Sequence, residues 1–220
     1  MYLLISLIIV SFLSLTFQKQ IKCKKKTLFI ISAIISVLVS IYEIIKISTG
    51  FKLSGFPFVL ERSFMKGFVS LSFFILVMFA GALNKRFEIT KKLLRIRAEL
   101  AIIASILLLP HGIIYLYKFL IAFITKPNLS ISYISLIVIG LIAFIIMIPL
   151  FITSFDKYRK YLGYKKWKSI QRFSYLFFFL TYIHIMIILL FSKNIDIFSL
   201  VLYNVIFLSY TFLRLCLKQK

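Results

Sequence analysis

Long apolar runs separated by short polar segments organise this chain. A helix needs about 17 to 25 mostly apolar residues to cross the hydrocarbon core of a bilayer. Seven runs meet that description, at residues 1–17, 27–47, 63–83, 98–124, 131–153, 171–192 and 198–217. Because they occupy most of the chain, the pattern predicts an all-α fold, a polytopic membrane helix bundle of about seven transmembrane helices.

Composition agrees with this pattern. Hydrophobic residues make up 62% of the 220 residues, well above the share in a soluble domain. The polar segments are too short for a soluble domain, so a nucleotide-binding module would belong to another polypeptide. The sequence also has no Gly-rich phosphate loop, no Ser–His–Asp arrangement and no cluster of zinc ligands, which excludes hydrolytic and nucleotide chemistry.

The net charge of +22 is segregated along the chain. Of the 28 basic residues, 21 follow the first, third, fifth and seventh runs, in segments 19–26, 85–97, 157–172 and 214–220. The alternate connections carry the other seven: Lys46, Lys52, Arg62, Lys66, Lys118, Lys126 and Lys193. Under the positive-inside rule this predicts an external N-terminus and a cytoplasmic C-terminus. Membrane lipids with anionic head groups account for the charge, and no nucleic-acid partner is expected.

The sequence predicts no cleaved signal peptide and no cysteine chemistry. The first run lacks a basic n-region and a small-residue cleavage site, so we interpret it as a helix rather than a signal peptide. Cys23 and Cys216 fall at predicted cytoplasmic helix ends, where thiols stay reduced, and no disulfide is expected. Without a C-x-x-C-H motif, covalently attached heme is excluded.

The chain has two histidines, His111 and His184, each deep in an apolar run. Each lies about thirteen residues beyond a basic flank, which corresponds to roughly 20 Å of helix from the same side. A lone intramembrane histidine is more often a hydrogen-bonded core residue. Two at matched depth also meet the requirement of a heme iron for two axial imidazoles.

Neighbouring residues offer modest support for a heme. Pro110 is expected to kink the helix beside His111, and Gly112 leaves a gap there, although both residues are also common in membrane helices for packing alone. Cations and hydroxyls that could contact heme propionates are Arg97, Arg172, Tyr115, Tyr175 and Tyr182. The two arginines are equally explained by the positive-inside rule.

Two connections carry aromatic or apolar side chains. In segment 154–170, tyrosines and Trp167 alternate with lysine and arginine, which favours an interfacial aromatic belt over a docking surface for an electron donor. Segment 48–62 contains Gly50, Gly55 and Pro57, and it is predicted to be a loop that packs over helix ends on the outer face.

Four stretches resemble a known family: R-A-E-L with L-L-L-P-H-G-I-I-Y-L (97–116), I-T-S-F-D-K-Y-R-K-Y-L-G, W-K-S-I-Q-R-F-S-Y-L and Y-I-H (152–184). They look like the bacterial ferric reductase-like transmembrane domain, over about residues 60 to 215. Within that family the chain is most similar to the heme-binding membrane subunit of the methionine sulfoxide reductase system, the MsrQ type. The first run looks like an addition to the usual six-helix core.

The resemblance implies b-type heme and electron transfer across a bacterial plasma membrane, from a flavin or quinol donor to an external acceptor. His111 matches the family histidine on the earlier helix, and His184 matches the second of two on the later helix. The first of those two is Gln171 here, and an amide is a poor iron ligand. The resemblance therefore implies one heme b, held by His111 and His184, with the inner site empty.

The expected function is that of an electron-transfer subunit of an oxidoreductase rather than a complete enzyme, working with a separate reductase subunit or with a flavin or quinol donor. The expected domains are N-terminal transmembrane helices at 1–47 and a heme domain at 60–217. Two alternatives remain open: a small membrane transporter or transport-complex subunit, and a degenerate assembly partner without heme. A transporter should show broken helices around a polar midplane site, and only Pro110-His111-Gly112 resembles one.

Overall fold

A computed structural model describes residues 1–125, 128–192 and 194–216. Lys126, Lys193, Lys218 and Lys220, which entered the charge count, lie outside the described residues, as does residue 217 at the end of the predicted last span. The described residues form ten helices: α1 Tyr2–Thr16, α2 Gln18–Cys23, α3 Lys25–Thr49, α4 Gly55–Met65, α5 Phe68–Ala82, α6 Glu88–Thr125, α7 Ile131–Ser154, α8 Asp156–Gln171, α9 Phe173–Leu190 and α10 Ile197–Cys216.

The all-helical membrane fold is confirmed, with a smaller count of spans. Within the described residues, five helical segments are long and apolar enough to cross a membrane: α3, α6, α7, the run of α8 with α9, and α10. A sixth span results if α4 and α5, which meet at a 48° bend, count as one. The predicted first span is the helix α1, but its 15 residues correspond to roughly 22 Å, less than the hydrocarbon thickness.

Three segments expected to connect spans are instead largely helical. The prediction of a loop at 48–62 was wrong from Gly55 onward, where α4 begins. Pro57 is tolerated because it lies in the first turn, whose N–H groups have no intrahelical acceptor. Segment 154–170 forms most of α8, which is interrupted at Gly163 by a non-helical conformation with φ +70°. Helix α6 already begins at Glu88, within the basic segment 85–97.

The chain divides into two compact units, Met1–Ile114 and Tyr115–Lys220, and the division falls inside α6. In the first unit, apolar side chains of α1, α2, α5 and α6 form one core: Val10, Ile21, Leu76, Val77, Ala80, Leu93, Ile96 and Leu100. At one end of this unit, Gln18 Nε2 donates to the Lys92 carbonyl, and the Lys22 ammonium lies 2.7 Å from Glu99 Oε1. The basic segments 19–26 and 85–97 therefore meet at the same end of this unit, as the charge pattern predicts.

The second unit pairs α7 with α9 and α9 with α10. The rings of Phe178, Phe207 and Tyr210 pack together between α9 and α10, and the Tyr182 hydroxyl donates to Asn204 Oδ1 at 2.7 Å. Near the other end of the same helices, Arg214 Nη2 donates to the Tyr175 hydroxyl. These contacts fix the register of α9 against α10.

Candidate functional site

His111 is held by the end of α4. Its Nδ1 lies 3.0 Å from the carbonyl oxygen of Met65, the last residue of that helix. A carbonyl can only accept, so Nδ1 carries the ring proton and donates it. The basic nitrogen is then Nε2, which has the lone pair that a metal ion requires.

The bend between α4 and α5 brings the Met65 carbonyl to this position. Gly67 follows with φ +75°, a left-handed conformation that L side chains rarely adopt. A Cβ on Gly67 would lie 3.5 Å from Leu108 Cδ1 and 3.8 Å from His111 Nδ1, which is ordinary contact. The conformation, more than the space, therefore selects glycine beside His111.

The proline before His111 is accommodated without a break in α6, which runs from Glu88 through Pro110 to Thr125. Proline lacks an N–H, so the carbonyl of Ile106, four residues earlier, loses its helical donor. The Ser36 hydroxyl of α3 donates to that carbonyl at 2.8 Å in a buried hydrogen bond. Membrane helices tolerate proline where a neighbouring side chain satisfies the carbonyl in this way.

His184 has an equivalent arrangement within the second unit. Its Nδ1 lies 3.0 Å from the carbonyl oxygen of Leu136 on α7, so Nδ1 again donates and Nε2 is basic. The ring lies directly against the α7 backbone at Gly140. A Cβ there would come within 2.7 Å of His184 Cε1 and 2.8 Å of Nδ1, distances that real Cβ contacts essentially never show. Glycine at 140 is therefore a steric requirement for this imidazole position.

The donor set fits a heme iron. His111 and His184 would each offer a neutral imidazole nitrogen, Nε2, to an iron, and in each the second ring nitrogen is oriented by a carbonyl. Both histidines have that form, and each has a glycine beside the ring. Across residues 1–125, 128–192 and 194–216, no group of three His, Cys, Asp or Glu side chains could hold a metal ion by itself.

Gln171 ends α8 and is engaged by α7. Its Nε2 donates to the Thr153 hydroxyl at 2.9 Å and lies 3.4 Å from the Leu150 carbonyl oxygen. Trp167 Nε1 donates to the Thr153 carbonyl at 3.0 Å. The Thr-Ser and Trp motifs that stood out in the sequence therefore meet here, where they fix the junction of α8 and α9 to the end of α7.

Arg97 lies on α6, fourteen residues before His111. Its guanidinium group packs over Gly81 of α5, where a Cβ would come within 3.3 Å of Nη1. Arg172 is exposed between α8 and α9. Tyr175 and Tyr182 bind Arg214 and Asn204 respectively, and Tyr115 lies near the Lys118 ammonium, 5.3 Å from the centre of its ring.

An apolar groove of about 610 Å³ opens beside the His184 position in the second unit. Ile139, next to Gly140, and Ile187, one helical turn beyond His184, are part of its wall. Ser132 and Ser135 are the polar residues of that wall, with Ile131 and Phe191 completing it.

A cluster of charged residues, which we call the α4 charge cluster, adjoins the Met65 carbonyl in the first unit. Its members are Glu43, Lys46, Glu61, Arg62 and Lys66. The sequence showed only the spacing of Glu43 and Lys46, and it missed that the Lys46 ammonium also lies 3.9 Å from Glu61 Oε1. The signal that could have shown the cluster was the placement of three charges next to the apolar run at 63–83.

The supporting residues Met65, Gly67, Leu136 and Gly140 were also missed by the sequence analysis. Two of them act through backbone carbonyls, for which the sequence has no signal. A glycine inside an apolar run is a weak signal, and it becomes specific only when a ring is seen against it, as His184 is against Gly140.

Comparison with known proteins identifies the family of this chain. The family described as ferric reductase like transmembrane component matches residues 66–193, which include both histidines, Gln171 and Arg97. An uncharacterized protein of Treponema pallidum (strain Nichols) is 33% identical over 217 residues, or 96% of this chain. The chain spans 59% of that protein's length. No solved structure matches the chain. The chain is a member of the ferric reductase like transmembrane component family.

Proposed function

We propose that this protein is a membrane electron-transfer subunit that binds one b-type heme through the Nε2 atoms of His111 and His184. The observation that carries the proposal is the hydrogen bond from each Nδ1 to a backbone carbonyl, at 3.0 Å in both cases. Each bond selects the tautomer whose Nε2 can bind iron.

The protein would act mainly by holding and insulating the cofactor. When bound, the heme supplies an iron that exchanges one electron. The Met65 and Leu136 carbonyls would orient the imidazoles and select the tautomer with a free Nε2. Apolar side chains around the site would exclude water and so contribute to the reduction potential.

The donor we favour is a quinol, with a reduced flavin as the alternative. The groove beside His184 supports the quinol, because its apolar wall and its two serines, Ser132 and Ser135, suit a ring with hydroxyl groups. The acceptor would be extracytoplasmic, and a separate reductase subunit would supply the substrate specificity. An MsrQ-type role, passing electrons to a methionine sulfoxide reductase, is the subfamily we propose.

The heme count we propose is one. Gln171 stands where the resembled family has its inner histidine, and its Nε2 donates to Thr153. An amide nitrogen that donates a hydrogen bond has no lone pair for iron. The thirteen residues between Gln171 and His184 correspond to roughly 20 Å of helix. An electron from a cytoplasmic flavin would have to cross that distance without an intermediate heme.

The contacts of Arg97 and Arg172 to heme propionates stay predictions, and the distances along the helices do not favour them. Arg97 precedes His111 by fourteen residues, roughly 21 Å of α6, and Arg172 precedes His184 by twelve, roughly 18 Å. A propionate of a heme held by the two histidines could hardly reach so far.

The location we propose is the plasma membrane of a bacterium, with the N-terminus outside and the C-terminus in the cytoplasm, an arrangement in which the short helix α1 crosses the bilayer together with the six longer spans. The support is the distribution of 21 of the 28 basic residues over alternate connections and the similarity to a Treponema pallidum protein. Reporter fusions after Lys220 and within 125–130 should report opposite sides of the membrane. Finding both on one side would contradict this topology.

Electron transfer is tested by reduction of the bound heme in lipid vesicles. A water-soluble quinol analogue added outside should reduce the heme in wild-type protein rapidly. A reduced flavin enclosed on the side of Lys165 and Lys166 should reduce the heme at least about tenfold more slowly, because the electron must cross the roughly 20 Å between the level of Gln171 and His184. Ser135→Ala tests the groove, with the exposed Ser48→Ala as the matched control. If neither donor reduces the heme, the protein is not an electron carrier.

The two rivals predict different results in the same experiment. A transporter would retain its activity without heme, and a degenerate assembly partner would be isolated without heme from cells that make it in excess. Both would yield a colourless protein, whereas the proposed subunit is coloured as purified.

A further inference from the structure

The α4 charge cluster contains two carboxylates that are removed from solvent. The side chain of Glu43 is 1% exposed and that of Glu61 is 7% exposed. The Lys46 ammonium lies 2.5 Å from Glu43 Oε1 and 3.9 Å from Glu61 Oε1, so one lysine contacts both acids. Charges this buried persist only when they are paired. The charge of Lys46 is therefore balanced by carboxylates of the protein itself.

Arg62 and Lys66 differ from Lys46 in this respect. Among the residues that the structure describes, neither forms a salt bridge with a carboxylate. The Arg62 guanidinium rests on the rings of Tyr2 and Phe58, at 5.3 and 5.7 Å from their centres, and its Nε is buried with no hydrogen-bond partner. A buried charged donor of this kind carries a desolvation cost that a bound anion would offset.

The spacing of Arg62 and Lys66 also favours a bound anion. Arg62 and Lys66 are four residues apart across the end of α4, and the Lys66 amide donates to the Arg62 carbonyl at 3.0 Å. Like charges four residues apart on a helical turn face each other and repel. A ligand with two negative groups would turn that repulsion into attraction.

The cluster also adjoins the candidate iron ligand. Lys66 lies between Met65, whose carbonyl accepts from His111 Nδ1, and Gly67, whose hypothetical Cβ is 3.8 Å from the same nitrogen. All of these residues belong to the first unit. Lys66 therefore follows directly after the carbonyl that orients His111, and Arg62 lies about one helical turn earlier on α4.

We propose that Arg62 and Lys66 bind the two propionate carboxylates of the heme held by His111. The charges match, two cations for two carboxylates, and Arg with Lys is a suitable pair, because the guanidinium can bind a carboxylate with two hydrogen bonds and the ammonium acts as a point charge. This inference rests on the proposed heme site. Under this assignment, the cations that bind the propionates lie in the same part of the first unit as His111.

The test compares two probes, hemin and hemin dimethyl ester, whose carboxylates are blocked. Both are added to heme-depleted full-length protein in detergent, and affinities are measured from the absorption change. Wild-type protein should bind hemin roughly tenfold or more tightly than the ester, as charge-assisted hydrogen bonds would require. Arg62→Gln and Lys66→Gln should each remove most of this preference, while Lys66→Arg should retain it. Lys52→Gln, an exposed lysine in the loop before α4, is the matched control.

The outcomes separate this inference from the proposed function. If wild-type protein binds both probes equally with a six-coordinate spectrum, heme binding stands and the propionate assignment is overturned. The same holds if the preference persists in both glutamine variants. If neither probe binds wild-type protein, the proposed heme site and this inference both fail. The wild-type comparison does not depend on whether a variant folds.

Discussion

His111 and His184 can be compared with Arg97 and Gln171, the residues fourteen and thirteen positions earlier on the same stretches of chain. Each histidine donates from Nδ1 to a carbonyl and has a glycine beside its ring. Arg97 packs over a glycine as well, and Gln171 donates to Thr153. Arg97 shares the close packing against glycine, but of these four residues only the histidines present a nitrogen lone pair. The capacity to bind a metal ion therefore depends on the identity of the side chain and not on the packing around it.

The largest expected effect comes from the glycine beside His184. In Gly140→Ala the new methyl group would lie 2.7 Å from the ring, so the imidazole must move. Overpacking of this kind costs about 1–3 kcal/mol, which predicts roughly a fivefold to hundredfold loss of heme affinity. The helix itself should not suffer, since alanine is the better helix former.

Gly81→Ala is the matched control for that variant. The methyl group would approach the Arg97 guanidinium at 3.3 Å, and the end of a flexible side chain can shift. Heme titration should give an affinity within about twofold of wild type, well below the cost of overpacking a rigid core. Equal losses in the two variants would mean that His184 has no special role.

A second test tries to restore the histidine that the resembled family has at the Gln171 position. Gln171→His places an imidazole where an amide now donates to Thr153, and the threonine oxygen can accept from Nδ1 in the same way. If this histidine completes a second heme site, the heme content per chain should rise from about one toward two. The pyridine hemochrome assay measures this ratio, and about two hemes in wild-type protein would refute the single-heme proposal.

The smallest expected effect concerns stability at the Gln171 junction. Thr153→Val removes the hydroxyl that accepts from Gln171 and donates to the Pro149 carbonyl at 2.7 Å. Loss of these hydrogen bonds should lower the free energy of unfolding by about 1–2 kcal/mol. Thr211→Val, whose hydroxyl bonds only within α10 to Phe207, is the control in thermal unfolding followed by circular dichroism. A heme spectrum that changes in Thr153→Val without loss of stability would link this junction to the cofactor.

Much of the fold could be predicted because hydrophobic length alone determines where membrane helices form. The helices at 27–47, 98–124 and 131–153 follow directly from their apolar runs. Short amphipathic helices carry no such signal, and α4 was missed because Gly55 and Pro57 are typical of loops, although proline is equally compatible with a first helical turn. The basic segment of α8 was missed for a similar reason, since alternating aromatic and basic residues do not specify a period.

The candidate site was predictable to the extent that its chemistry lies in rare side chains. Two histidines in 220 residues are conspicuous, whereas the carbonyls of Met65 and Leu136 are invisible to sequence analysis. The α4 charge cluster needed the packing of α3 against α4, because the chain separates Glu43 from Glu61 by eighteen positions. Tertiary structure alone brings such groups together.

The most direct test of the account is the absorption spectrum of the purified protein and of His111→Ala and His184→Ala. Wild-type protein should contain low-spin, six-coordinate b heme. Each alanine variant should lose the heme or become high-spin, and added imidazole should restore the low-spin spectrum in a variant that retains heme. An unchanged Soret band in both variants would show that these histidines do not bind the iron.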